Sequence, residues 1–192
     1  MLRRLYDWTI ALAATPYALL ALALVAFAES SVFPIPPHAL LVPMVIAAPR
    51  DAWKIAGVCT LASVAGGAFG YWIGAELFEA VGQPVLDFYG KLEKFDEFRA
   101  QFNAYGAWAV LIAGITPFPY KVITITSGAT ALDFSVFMVS SLIARGAIFF
   151  FIAALLWKFG PPIRTFIEER LAMVTTAFVV LLVGGFAALR FL

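Results

Sequence analysis

Glu29-Ser30-Ser31-Val32-Phe33-Pro34-Ile35-Pro36-Pro37-His38 interrupts an apolar run near its middle. Residues 17–28 and 39–48 flank it, 12 and 10 residues of almost wholly apolar sequence. A helix needs about 20 residues to cross the hydrocarbon core of a bilayer, so neither flank spans alone. Pro34, Pro36 and Pro37 stand where a single spanning helix would have its centre. Prolines remove backbone donors and push the preceding residue towards extended geometry. Backbone broken at membrane depth is tolerated only inside protein or along a watery cavity. Residues 17–48 therefore read as a hairpin that enters the membrane, turns at the prolines and leaves on the side it entered.

The composition agrees with a membrane setting. The chain has 192 residues, is 63% hydrophobic and has a mean hydropathy of +0.94. Charged residues make up 13%, about half the share of soluble proteins. The reading is an all-α integral membrane protein forming a single domain over 1–192. With a net charge of +1 and no basic stripe, nucleic acid is excluded as a partner. Cys59 is the single cysteine, which excludes an intrachain disulfide; it reads as a buried, inert thiol. One histidine and one cysteine are too few for most metal sites, so no metal and no cofactor are expected. No Gly-x-Ser-x-Gly elbow or P-loop is present, and Gly66-Gly67-Ala68-Phe69-Gly70 falls inside a membrane helix. The protein is not expected to be an enzyme. Residues 1–14 carry Arg3 and Arg4 before an apolar run, but Asp7 and Trp8 break the signal-peptide pattern, and the segment is expected to be retained.

Along the chain, residues 3–14 read as a surface helix leading into the hairpin; the alternative is one kinked span over 5–28. A turn at Pro49-Arg50-Asp51 precedes a long helix over 52–78, with Asp51 placed to cap it. Gly66, Gly67, Gly70 and Gly74 line one face of that helix, with Ser63. Small residues at this spacing let another backbone approach closely. Residues 80–104 form a connector, with apolar residues at helical steps over 92–102 and a mixed-charge outer face. A second broken apolar stretch follows, interrupted at Thr116-Pro117-Phe118-Pro119-Tyr120-Lys121. Asp133 is placed to cap a helix over 134–157, which carries Arg145 and a packing glycine, Gly146. Lys158-Phe159-Gly160-Pro161-Pro162 should end it, before a charged piece over 163–170 and a last span over 171–192.

The two breaks match. Each contains a Pro-x-Pro, each lies in a hairpin-length apolar stretch, and each is followed by an Asp and a long helix. Asp51 and Asp133 lie about 82 residues apart. Short, proline-interrupted apolar segments in corresponding places point to a transport site between repeats. Repeat one covers about 17–79 and repeat two about 105–158. Counting crossings, the hairpins enter from opposite leaflets, which makes an inverted repeat with about three spanning helices and amphipathic surface helices. The side holding Arg3, Arg4, Arg50, Lys54, Lys158, Arg164 and Arg170 is expected to be cytoplasmic.

Glu29, Lys121 and Arg145 are the ionisable residues at membrane depth, with His38 at the end of the first turn. A charge there costs on the order of 2.5–3.5 kcal/mol on insertion scales, so it should face the interior and have a partner. The opposed hairpins leave Lys121 and Arg145 as candidate partners of Glu29. Two roles stay open for these residues: a static ion pair locking the repeats, or a site that titrates or holds an anion.

Glu29 with Pro34-Ile35-Pro36-Pro37, the run Gly66 to Gly74, Thr116 to Lys121, Gly128, Phe137, and Ser141 through Arg145-Gly146 together resemble the DedA family of VTT-domain membrane proteins, in its YqaA-like branch. The resemblance covers about residues 28–150. It implies two opposed re-entrant hairpins and lipid translocation, of undecaprenyl phosphate or a phospholipid, with coupling to the proton motive force as a further expectation. It implies proton-coupling roles for Glu29 and His38, the latter standing where the family often has an acid. It implies head-group or ion-pair roles for Lys121 and Arg145; where an arginine often precedes the second hairpin's proline, this chain has Gly114. The expectation is a flippase or scramblase in a bacterial inner membrane, with membrane lipids as partners. A coupled small-solute transporter and a non-transporting scaffold using the 92–102 face are the alternatives. Homo-oligomerisation is left open.

Overall fold

A computed structural model describes residues 15, 17–33, 36–116 and 118–188, with side chains described through Gly160 and at Pro162. The expectations for residues 1–14, for Pro34 and Pro117 and for residues 189–192 lie outside the described residues. Among the described residues the structure is helical, without strands. The elements are α1 (Ala18–Ser31), α2 (His38–Ala47), a 3-10 turn (Pro49–Asp51), α3 (Ala52–Leu77), a π turn (Phe78–Gly82), α4 (Gln83–Phe88), α5 (Leu92–Ala104), α6 (Gly106–Ile115), α7 (Tyr120–Ala129) and α8 (Phe134–Ala188).

The proline stretches do what their chemistry dictates. α1 stops at Ser31, and Pro37 occupies the N-cap of α2, with its carbonyl accepting from the amide nitrogens of Leu40 and Leu41 at 3.1 and 2.9 Å. Thr116 leaves α6 in an extended conformation, and Pro119, also extended, precedes α7. A proline suits these positions because the missing N–H has no intrahelical acceptor there. With 14, 10, 10 and 10 residues, α1, α2, α6 and α7 are each too short to cross a bilayer core.

Among the described residues, two helical stretches are long and apolar enough to cross a membrane: Pro49–Phe88, containing α3, and Phe134–Gly160 within α8. They pack against each other at the centre. α1 and α7 pack on α3, whereas α2 and α6 pack on α8. Each short pair is thus split between the two long helices. Apolar side chains remain exposed on the outside, including Leu61 and Trp72 on α3 and Val139, Ile143 and Phe151 on α8. Such a surface suits lipid.

Glycines set the closest contacts. A Cβ on Gly66 would collide with the Phe27 carbonyl oxygen of α1, and one on Gly74 with the Ile125 carbonyl oxygen of α7. Gly70 faces Thr124 and the Ser30 carbonyl. From the other side, Gly128 faces the Tyr71 carbonyl. Gly67 and Gly146 are looser, since a Cβ there would meet its nearest neighbours at 3.5 and 3.8 Å.

Two features differ from the sequence-based expectation. Asp51 sits at the N-cap of α3 but makes no capping hydrogen bond, because the preceding 3-10 turn already leads into the helix. Asp133 does cap: its Oδ1 accepts from the Val136 amide at 2.9 Å. The expected break at Gly160-Pro161-Pro162 is not a break. α8 runs helical from Phe134 to Ala188, so 163–170 and the described part of the last span continue it. Two prolines delete two amide donors, and the turns on either side carry the helical path across the gap.

The connector is helical on either side of a turn at residues 89–91, and α5 covers the 92–102 stretch where the periodicity predicts a helix. Phe78 of the π turn stacks on Phe95 of α5 at 4.4 Å, and the Arg99 guanidinium lies 5.3 Å from both ring centroids. No residue of α5 is buried.

Candidate functional site

Four helices meet at Arg145, and a fifth comes close through Phe149. Arg145 lies on α8, is 4% exposed, and is held on every side. Its Nη2 donates to Glu29 Oε2 of α1 at 2.7 Å, and its Nε donates to Ser63 Oγ of α3 at 2.6 Å. Tyr120 of α7 and Phe149 of α8 lie against it, with the guanidinium carbon 4.7 Å from each ring centroid. The His38 ring of α2 lies 5.4 Å from the Phe149 ring. Cation–π contact with two rings and charge-assisted bonds at the edge hold the guanidinium in place.

Hydrogen-bond directions follow by elimination. Arg145 Nε can only donate, so Ser63 Oγ accepts from it. Ser63 Oγ and Ser30 Oγ are 2.7 Å apart, and Ser30 Oγ donates to Glu29 Oε2 at 3.3 Å. If Ser30 spends its hydrogen on Glu29, Ser63 must spend its own on Ser30. The result is a closed ring, Arg145 to Ser63 to Ser30 to Glu29 and back to Arg145, with every hydrogen directed towards the carboxylate. Next to it, Tyr120 Oη donates to Ser141 Oγ at 2.6 Å, which fixes the ring beneath Arg145. Thr124 Oγ1 of α7 reaches the Ser30 carbonyl at 2.9 Å, tying α7 to the end of α1.

The structure thus brings together Glu29, Arg145 and, through Phe149, His38. Lys121 lies apart from the ion pair. Its Nζ donates to the Val32 carbonyl at 3.3 Å, an exposed contact across the two proline turns. Pro36 is exposed and Pro37 buried at the first turn; Pro119 is half-buried at the second. Gly114 is buried, and a Cβ on it would stand 2.5 Å from the Ala144 Cβ, so the neighbour of Arg145 closes the space that a longer side chain would need.

The VTT domain profile matches residues 33–158. The chain belongs to the VTT-domain (DedA) family. An uncharacterized protein of Haemophilus influenzae is 33% identical over 168 residues, covering 85% of this chain and 87% of its own length. An uncharacterized protein of Histophilus somni is 36% identical over 168 residues, with the same coverage of both chains. No solved structure matches the chain. This VTT-domain protein is a helical membrane protein, with two helices of spanning length and composition among its described residues.

Ser30, Ser63, Tyr120, Thr124 and Phe149 were not singled out for the site by sequence reasoning. One signal was available: Ser141 and Arg145 stand four residues apart on one helix face, and Ser63 lies on the small-residue face of α3.

Proposed function

We propose that this VTT-domain protein is a lipid transporter, a flippase or scramblase that moves a phosphate-bearing lipid such as undecaprenyl phosphate or a phospholipid between leaflets of the bacterial inner membrane. It works without enzymatic chemistry. The observation that carries this reading is a buried arginine–carboxylate ring at the meeting point of two proline-broken helix pairs. The reciprocal packing, in which α1 and α7 lie on α3 while α2 and α6 lie on α8, supports two re-entrant hairpins in an inverted repeat. Irregular backbone at membrane depth is tolerated inside protein or beside a watery path, which suits a transport site between the two turns. Lys121 stands at the more open edge of that place and is the candidate first contact for a head-group phosphate. Glu29 and His38 are the candidate proton-coupling groups. The resemblance motivates lipid as the cargo rather than a small solute.

The test is translocation of fluorescent phospholipid in proteoliposomes. Glu29→Gln removes the negative charge but keeps a hydrogen-bond acceptor against Arg145 Nη2, so it should cost less than the about 3–5 kcal/mol lost when one partner of such a pair is removed outright. Glu29→Ala is therefore not a fold-neutral substitution. Glu29→Gln and Lys121→Ala should each reduce translocation by an order of magnitude or more, with unchanged detergent elution profiles. Wild-type rates in both variants would remove the site from the mechanism. Deleting 92–102 should leave translocation standing; its loss, with silent Glu29 and Lys121 variants, would favour the scaffold.

A further inference from the structure

We infer that Glu29 is a tethered surrogate anion, occupying on Arg145 the position that a lipid head-group phosphate takes during transport. The inference rests on the transport reading above and names what its site exchanges.

Arg145 is the fixed member of the pair. Two rings lie against its guanidinium and Ser63 holds its Nε. Glu29 is the more accessible member, with its side chain 14% exposed against 5% for Arg145. An anion approaching the guanidinium therefore meets Glu29 first. Oε2 accepts from Arg145 Nη2 and from the Ser30 hydroxyl, two donors that suit a phosphate oxygen equally well. Lys121 adds a second cation at the same end of α1, with its ammonium on a main-chain carbonyl three residues beyond Glu29. A buried guanidinium cannot simply lose its counter-ion, because an uncompensated charge at that depth is costly. Replacing one anion by another meets that constraint. When the phosphate leaves, Glu29 returns to Arg145 and restores the ring. A tethered carboxylate also explains how one buried arginine could release its cargo, since Glu29 competes from a high effective concentration.

The account separates binding from transport. Removing the surrogate should tighten phosphate binding while stalling release. The experiment uses purified full-length protein in detergent, with dioctanoyl phosphatidic acid and inorganic phosphate as probes and intrinsic tryptophan fluorescence as the readout. Glu29→Gln should bind the short-chain phosphatidate about tenfold more tightly than wild type. Glu29→Gln combined with Arg145→Gln should lose that gain. If Glu29→Gln does not fold, Glu29→Asp, which withdraws the carboxylate by one methylene, should give a smaller gain of the same sign. Equal or weaker phosphatidate binding in the folded variant would overturn the inference. So would a gain that survives loss of Arg145, or one seen with inorganic phosphate alone. Tighter binding of both probes supports the exchange. Because binding is read without a bilayer, failure of wild-type translocation would defeat the transport reading without touching this result.

Discussion

Ser63 shows how much of this site depends on one hydroxyl. It receives Arg145 Nε–H and stands 2.7 Å from Ser30. Ser63→Ala leaves a buried N–H without its acceptor and Ser30 without its neighbour, which costs about 1–3 kcal/mol. Ser30→Ala breaks the same ring at the next link, so the two losses should not add. A double-mutant cycle read by thermal unfolding should give a coupling of about 0.5–3 kcal/mol; strict additivity would show that the ring does not act as a unit. At this scale the charges were legible in sequence and their pairing was not. Glu29 and Arg145 stand out because ionisable residues inside apolar segments must find partners. They are 116 positions apart, however, and Lys121 was an equal candidate. The choice was made by how α8 is rotated against α1, which no local pattern records.

At the scale of elements, the contact between α3 and its neighbours is set by absent side chains. Gly74→Ala drives a methyl into the Ile125 carbonyl, and Gly66→Ala drives one into Phe27; main chain on both sides leaves nothing flexible to yield. Each should destabilise the protein by about 1–3 kcal/mol. Gly57→Ala on the same helix meets nothing within 4 Å and should be silent. Thermal unfolding in detergent checks all three, and a silent Gly74→Ala would contradict the backbone contact. The glycine face was readable because helical periodicity puts Gly66, Gly70 and Gly74 in one row. The end of α8 was not readable in the same way. Pro161 and Pro162 signal a stop by local rules, yet the backbone stays helical through them to Ala188. Asp51 and Asp133 make the same point: equivalent in sequence, they differ in bonding, because the local entry into each helix differs.

At the scale of the whole molecule, two proline-broken helix pairs enclose two long helices, and their short members are shared crosswise between them. Length, hydropathy and the paired Pro-x-Pro motifs made the helical membrane class and the four short helices readable in advance. The crosswise sharing was not readable, because it depends on contacts between elements far apart in the chain. It matters for function, since any movement of one half against the other must pass through Arg145, which bonds to α1 and α3 and stacks on α7. The most direct measurement is therefore translocation by the purified wild-type protein in proteoliposomes, comparing lipids with phosphate-bearing and phosphate-free head groups, with and without a pH gradient. The account predicts movement of phosphate-bearing lipids above protein-free vesicles, with phosphate-free lipid left behind; movement of neither, or of both at one rate, would contradict it.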